Sequence, residues 1–150
     1  VTPAATEATR EALEALEAAF IDLRPENVGR LRQHYAPDAA FRDPFNDVRG
    51  VQAIVGIFEH MFEQLESPRF VVLDRVVEGE VAWLTWNLEY RMRGGARERR
   101  IHGASRLRFV GGRVVDHRDY WDAAEELYET LPLLGTLLRA LRSRLRAPQG

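Results

Sequence analysis

Two aspartates and one histidine stand in this chain where proton chemistry can use them. Asp43 is followed by Pro44, and His117 lies two residues before Asp119 in the run Asp116-His117-Arg118-Asp119-Tyr120-Trp121-Asp122. In an extended strand side chains two apart share a face. His117, Asp119 and Trp121 therefore fall on one side with Val115, and Asp116, Arg118 and Tyr120 on the other. A carboxylate beside an imidazole is a general acid/base pair; desolvation raises the pKa of its carboxyl and an ion pair with the histidine lowers it. Composition closes most other chemistries. The 150 residues contain no cysteine, which excludes thiol nucleophiles, Cys-based zinc sites and disulfides. All 21 basic residues are arginine, so no lysine is present to form a Schiff base. The three serines, Ser67, Ser105 and Ser143, lie outside any G-x-S-x-G elbow. An enzyme built from what remains moves protons.

Each candidate also admits a plainer role. Asp43 could accept hydrogen bonds from the amides of a following loop, and Asp119 could sit in a structural ion pair. His117 could be a satisfied core histidine, and Ser105 merely a small strand residue. His34, His60 and His102 are scattered without ligand spacing, so neither a metal nor another cofactor is expected.

The elements that must position these residues follow from periodicity. Residues 6–23 carry Ala12, Leu13, Leu16, Ala19, Phe20 and Leu23 at helical spacing. The Pro25-Glu26-Asn27 break starts a second helix that runs to about Tyr35, with Val28, Leu31 and Tyr35 on one face. Ala36-Pro37-Asp38 reads as a turn, residues 39–44 as a short extended piece and residues 45–50 as a loop ending in glycine. A third helix over 51–65 buries Ile54, Ile57, Phe58, Met61, Phe62 and Leu65, and Ser67-Pro68 ends it. The period then changes to two. Residues 70–77, 81–92, 99–109 and 113–121 read as strands joined by turns at Gly79, Gly94-Gly95 and Gly111-Gly112, an antiparallel meander. Beyond it, Leu134, Leu138, Leu141 and Leu145 form an apolar stripe opposite Arg139, Arg142 and Arg146. Such a tail covers an apolar patch on its own domain or a dimer partner more readily than it lies on a membrane surface.

With these elements in order, the stretch Tyr35-Ala36-Pro37-Asp38-Ala39-Ala40-Phe41-Arg42-Asp43-Pro44, then Gly50 and the helix holding Phe58, resembles the SnoaL-like and ketosteroid-isomerase-like branch of the nuclear transport factor 2-like superfamily. The final strand with its His117-Arg118-Asp119 run is also similar to SnoaL-like proteins and limonene epoxide hydrolases. The resemblance implies an α+β cone: N-terminal helices packed on a strongly curved antiparallel sheet, with an extra C-terminal helix. It covers roughly residues 10–122 of a single domain over 1–150, leaving a helical extension at about 123–147. It implies that His117, Asp119, Trp86, Leu88, Tyr90, Ser105 and Leu107 face the interior of the cone.

Carried over residue by residue, the resemblance puts the isomerase general base on Asp43. It puts the two isomerase oxyanion donors on Phe20 and Ser105, which lack or weaken that function. Asp119 matches the last-strand aspartate of epoxide hydrolases, but the other two members of their Asp-Arg-Asp set fall on Trp86 and Leu88. The acid/base aspartate of SnoaL-type cyclases matches Asp119 best. The expected catalytic set is thus Asp43, Asp119 and His117, within a pocket walled by Phe20, Phe41, Phe58, Trp86, Leu88, Tyr90, Ser105, Leu107 and Trp121. The expected activity is cofactor-independent isomerisation, cyclisation or dehydration of a hydrophobic carbonyl compound. The alternative is a ligand-binding or assembly module of the same fold.

The formal charge of −2 gives no basic face for nucleic acid, and the first 20 residues lack the pattern of a signal peptide. A small hydrophobic ligand, a homodimer formed through the outer sheet face around Arg118 and Tyr120, no membrane surface and a cytoplasmic location are the corresponding expectations.

Overall fold

The first helix begins because Thr2 caps it: its hydroxyl accepts from the Ala5 amide, and Pro3 occupies the first turn, where a missing N–H costs nothing. This helix, α1 (Pro3–Ile21), buries Thr9, Leu13, Leu16 and Glu17. The computed structural model describes residues 2–126, 136–137 and 139–141. After α1, Asn27 closes a tight turn by accepting from the Arg24 amide and donating to the Asp22 carbonyl. The chain then enters a 3-10 segment, Val28–Gln33, shorter than the helix its spacing suggests. Tyr35 is not helical but the first residue of β1 (Tyr35–Arg42).

Ala36-Pro37-Asp38 is strand rather than turn. Pro37 cannot donate to a ladder, and the pairing register of β1 shifts between Tyr35 and Ala40, around that position. The expected loop at 45–50 contains a short strand, β2 (Asp47–Arg49), which pairs back onto β1. Helix α2 (Val51–Gln64) then packs Ile54, Val55 and Phe58 inward. Its C-terminal carbonyls at Phe62 and Glu63 accept from the Arg93 guanidinium, a cap drawn from across the fold. Ser67-Pro68 does not end this helix. Strand β3 (Leu65–Glu78) starts before it, and the pair sits in a bulge where Ser67 adopts φ 50°.

Strands β3, β4 (Val81–Met92), β5 (Glu98–Val110) and β6 (Arg113–Trp121) form the antiparallel meander. β1 adds in parallel beside β6, so the sheet order is β2-β1-β6-β5-β4-β3. The helices cover one face of this curved sheet. Leu13, Leu16, Leu31, Ile54, Val55 and Phe58 meet Phe41, Ala82, Leu107, Phe109 and Val114 in the main core. Trp86, Leu88, Tyr90 and Ile101 form a second cluster toward the open end.

In β6 the expected alternation breaks at Val115. Phe109 pairs with Val114 but Arg108 with Asp116, so Val115 is the extra residue of a bulge. Val114, fully buried, is therefore the core residue upstream of His117, and Val115 is only half-buried. A short helix, α3 (Ala123–Glu126), comes after β6. Of the apolar and basic tail residues, only Arg139 and Leu141 are described; Leu134, Leu138, Leu145, Arg142 and Arg146 lie outside the described residues. Among the described residues no helix is long and apolar enough to cross a membrane.

Candidate active site

Strand alternation after the β6 bulge sends His117 and Asp119 to the concave face of the sheet, where His117 is 4% exposed. β5 delivers Ser105 beside Asp119, its direct cross-strand partner. β4 delivers Trp86, which pairs with Gly103. That glycine is required by close approach: a Cβ there would come within 2.5 Å of the Trp86 ring. The indole can thus lie across β5 and point its N–H at Ser105.

These residues form one continuous hydrogen-bonded chain. Trp86 Nε1 donates to Ser105 Oγ at 2.8 Å, and Ser105 Oγ donates to Asp119 Oδ1 at 2.5 Å. His117 Nε2 meets the same Oδ1 at 2.7 Å, while His117 Nδ1 meets the Tyr35 hydroxyl at 2.7 Å. One proton arrangement with a neutral imidazole satisfies every partner: Tyr35 O–H donates to Nδ1, and Nε2–H donates to the Asp119 carboxylate. Full burial pushes the Tyr35 phenol well above the ordinary range and the Asp119 charge adds to this, so the hydroxyl keeps its proton. The imidazole is further held by an edge contact with Phe41 at 4.8 Å between ring centroids and by the parallel Tyr35 ring.

Both bonds to Asp119 end on Oδ1. Oδ2 has no hydrogen bond among the described residues, and Asp119 lines two adjoining cavities. The inner one, about 40 Å³, is walled by Leu13, Leu16, Phe20, Val72, Leu84 and Leu107, with Glu17, Ser105 and His117 as polar members. The outer one, about 550 Å³, lies between α2 and the sheet and reaches Phe41, Leu88, Tyr90 and Trp121. Phe58, Phe70, Trp86 and Asp119 line both, so Asp119 stands at their junction. A cavity of this size and apolar character suits a small organic molecule.

Every residue expected at the site lines one of these cavities: Phe20, Ser105, Leu107 and His117 the inner, Phe41, Asp43, Leu88, Tyr90 and Trp121 the outer, Phe58, Trp86 and Asp119 both. Asp43 differs from Asp119 in its bonding. Its Oδ1 accepts from the Phe45 and Asn46 amides, each at 2.7 Å, and its own amide donates to the Asn46 carbonyl. It closes the turn into β2 at the cavity rim. Three further residues enter the picture. Tyr35 and Phe70 come from positions that periodicity assigns to a helix end and an ordinary strand. Glu17 sits within the apolar stripe of α1, and a carboxylate at a core position of an amphipathic helix is the signal that could have found it. Among the described residues no group of three or more His, Asp or Glu side chains could hold a metal.

A curved six-stranded sheet with helices packed on its concave face is the architecture of the cone-shaped nuclear transport factor 2-like fold. The sequence profile of the SnoaL-like domain matches residues 10–117, and the chain belongs to that family. Among solved structures, it is similar to a nuclear transport factor 2-like protein of unknown function from Burkholderia pseudomallei, with 17% identity over 79% of this chain and 93% of that one, at a TM-score of 0.69. It is also similar to a limonene-epoxide-hydrolase-like epoxide hydrolase from M. tuberculosis, with 16% identity over 91% of this chain and 98% of that one, at 0.67. A candidate SnoaL-like polyketide cyclase from Jannaschia sp. shares 15% identity over 99% of this chain and 98% of that one, at 0.66. Identities this low carry the fold and not the reaction. Comparison with curated protein sequences gives no match.

Proposed function

We propose that the protein is a cofactor-independent acid/base enzyme that binds a hydrophobic carbonyl compound in the cone and moves a proton with Asp119. The observation that carries this reading is the asymmetry of Asp119: Oδ1 is tied by Ser105 and His117, while Oδ2 has no hydrogen bond among the described residues at the junction of the two cavities. A base so held takes a proton from a carbon next to a carbonyl and returns it elsewhere, which serves isomerisation, cyclisation and dehydration alike. His117 and Tyr35 stabilise the carboxylate from behind. Asp43 shapes the rim.

A second reading, a ligand-binding module without chemistry, is favoured by one feature. The Ser105 hydroxyl is spent on Asp119 and Phe20 offers no donor, so neither supplies the charge stabilisation an enolate requires. The expected assembly is a homodimer through the outer sheet face, supported by the exposure there of Val76, Trp83, Val110 and Tyr120.

The test is solvent deuterium incorporation at the α-carbon of 2-tetralone and related aryl ketones in D2O, followed by NMR. The wild type should accelerate exchange, and Asp119→Asn should lose roughly 10²–10⁴-fold of the acceleration. Ketone binding without accelerated exchange establishes the module instead.

A further inference from the structure

Glu17 is the one buried acid on α1, and the proton-transfer chain does not use it. Its side chain is 9% exposed, and Arg75 Nη1 donates to Oε2 at 2.6 Å. Oε1 has no contact with solvent and no hydrogen-bond partner among the described residues. An orphaned carboxylate oxygen in an apolar setting is costly, so its persistence asks for a reason. Glu17 lines the inner cavity, opposite an outer space large enough for a ring system, with Phe58, Phe70 and Trp86 forming the common walls. About 40 Å³ at the inner end admits a small polar head group and no more.

The charges around the two cavities narrow the ligand. Glu17, Asp43 and Asp119 line them with His60 and His117, and no arginine among the described residues does. Arg75, half-exposed, approaches Glu17 from outside the inner cavity. Carboxylates and phosphates are therefore disfavoured at the inner end, and hydrogen-bond donors favoured.

We propose that Glu17 is a ligand-positioning residue whose Oε1 receives the hydroxyl or ammonium group at the inner end of a hydrophobic ligand, while the rest of that ligand passes Asp119 into the outer cavity. The assignment rests on the reading that the cone binds a ligand and is independent of whether Asp119 then moves a proton. A group seated on Glu17 fixes how deep the ligand sits, and so which carbon stands before Asp119.

An isosteric series tests it: 4-ethylbenzyl alcohol, 4-ethylbenzylamine and 1,4-diethylbenzene, titrated into the wild type, Glu17→Gln and Glu17→Leu. The wild type should prefer the alcohol or the amine over the hydrocarbon by about tenfold, the scale of one hydrogen bond to a charged group. The better of the two identifies the donor. Glu17→Gln should retain preference for the alcohol and lose it for the amine; Glu17→Leu should lose both. Because Arg75 can return to water, Glu17→Leu should melt no lower than the wild type. As a second readout, the Glu17 carboxyl ¹³C resonance of the wild type should move with the donor ligand and stay put with the hydrocarbon. Equal binding of all three by the wild type overturns the Glu17 assignment and leaves the pocket intact, as does a preference that survives Glu17→Leu. If the wild type binds none of them, the pocket reading falls as well.

Discussion

Asp119 and His117 were legible at the level of single residues because no bulge falls between them: two residues apart on an uninterrupted stretch of strand means one face, whereas the Val115 bulge breaks the same rule just upstream. Tyr35 was not legible. Val28, Leu31 and Tyr35 keep helical spacing, and only the tertiary pairing of β1 beside β6 draws Tyr35 into the sheet, with its hydroxyl on His117. Tyr35→Phe deletes that hydroxyl and leaves a buried imidazole nitrogen unpaired. It should destabilise the fold by about 1–3 kcal/mol in denaturant titration. Glu17 gives a pH signature of known sign. Burial raises its pKa above the ordinary carboxylate value, helped by Glu14 and opposed by Arg75. The folded state then holds a proton the unfolded state has lost, over the window between the two pKa values, so this residue's contribution to stability falls as pH rises through that window. Glu17→Gln should therefore gain on the wild type as pH is raised from about 4 upward, as read from the difference in melting temperature at each pH. A constant difference across that range would remove burial as the cause.

Among the elements, β4 and β6 have the bounds their patterning predicts, since glycine turns bracket the meander. The departures cluster where proline or a bulge interrupts a ladder. Pro37 reads as turn chemistry but lies in β1 at its register shift, and Ser67-Pro68 reads as a helix stop but forms the bulge that opens β3. The β6 bulge at Val115 exchanges Val114 for Val115 in the core, a change that no local preference reports. Gly103 is the element-scale position with most consequence. Its lack of a side chain lets the Trp86 indole reach across β5 to Ser105, which in turn holds Asp119. Gly103→Ala should cost about 1–3 kcal/mol through overpacking. It should also lower ketone exchange more than ketone binding, because what it displaces is the support of Asp119.

At the scale of the molecule, periodicity gives the antiparallel meander and the resemblance supplies the cone and its interior; the parallel β1–β6 join, which brings Phe41 and Tyr35 to His117, is a long-range feature without a sequence marker. The outer sheet face carries Trp83 stacked on Tyr120, with Arg118 over the Tyr120 ring. If that face forms the homodimer, Trp83→Glu should shift the protein to monomer in sedimentation velocity while leaving ketone binding unchanged. The proposed role of Asp119 as a base depends on the buried chain that runs from Tyr35 through His117 to its carboxylate. ¹⁵N NMR of the His117 ring at neutral pH tests it most directly. A single tautomer is expected, with the proton on Nε2 and Nδ1 accepting from Tyr35, and it should be lost in both Tyr35→Phe and Asp119→Asn. A ring protonated at Nδ1 alone, or one indifferent to both substitutions, would contradict it.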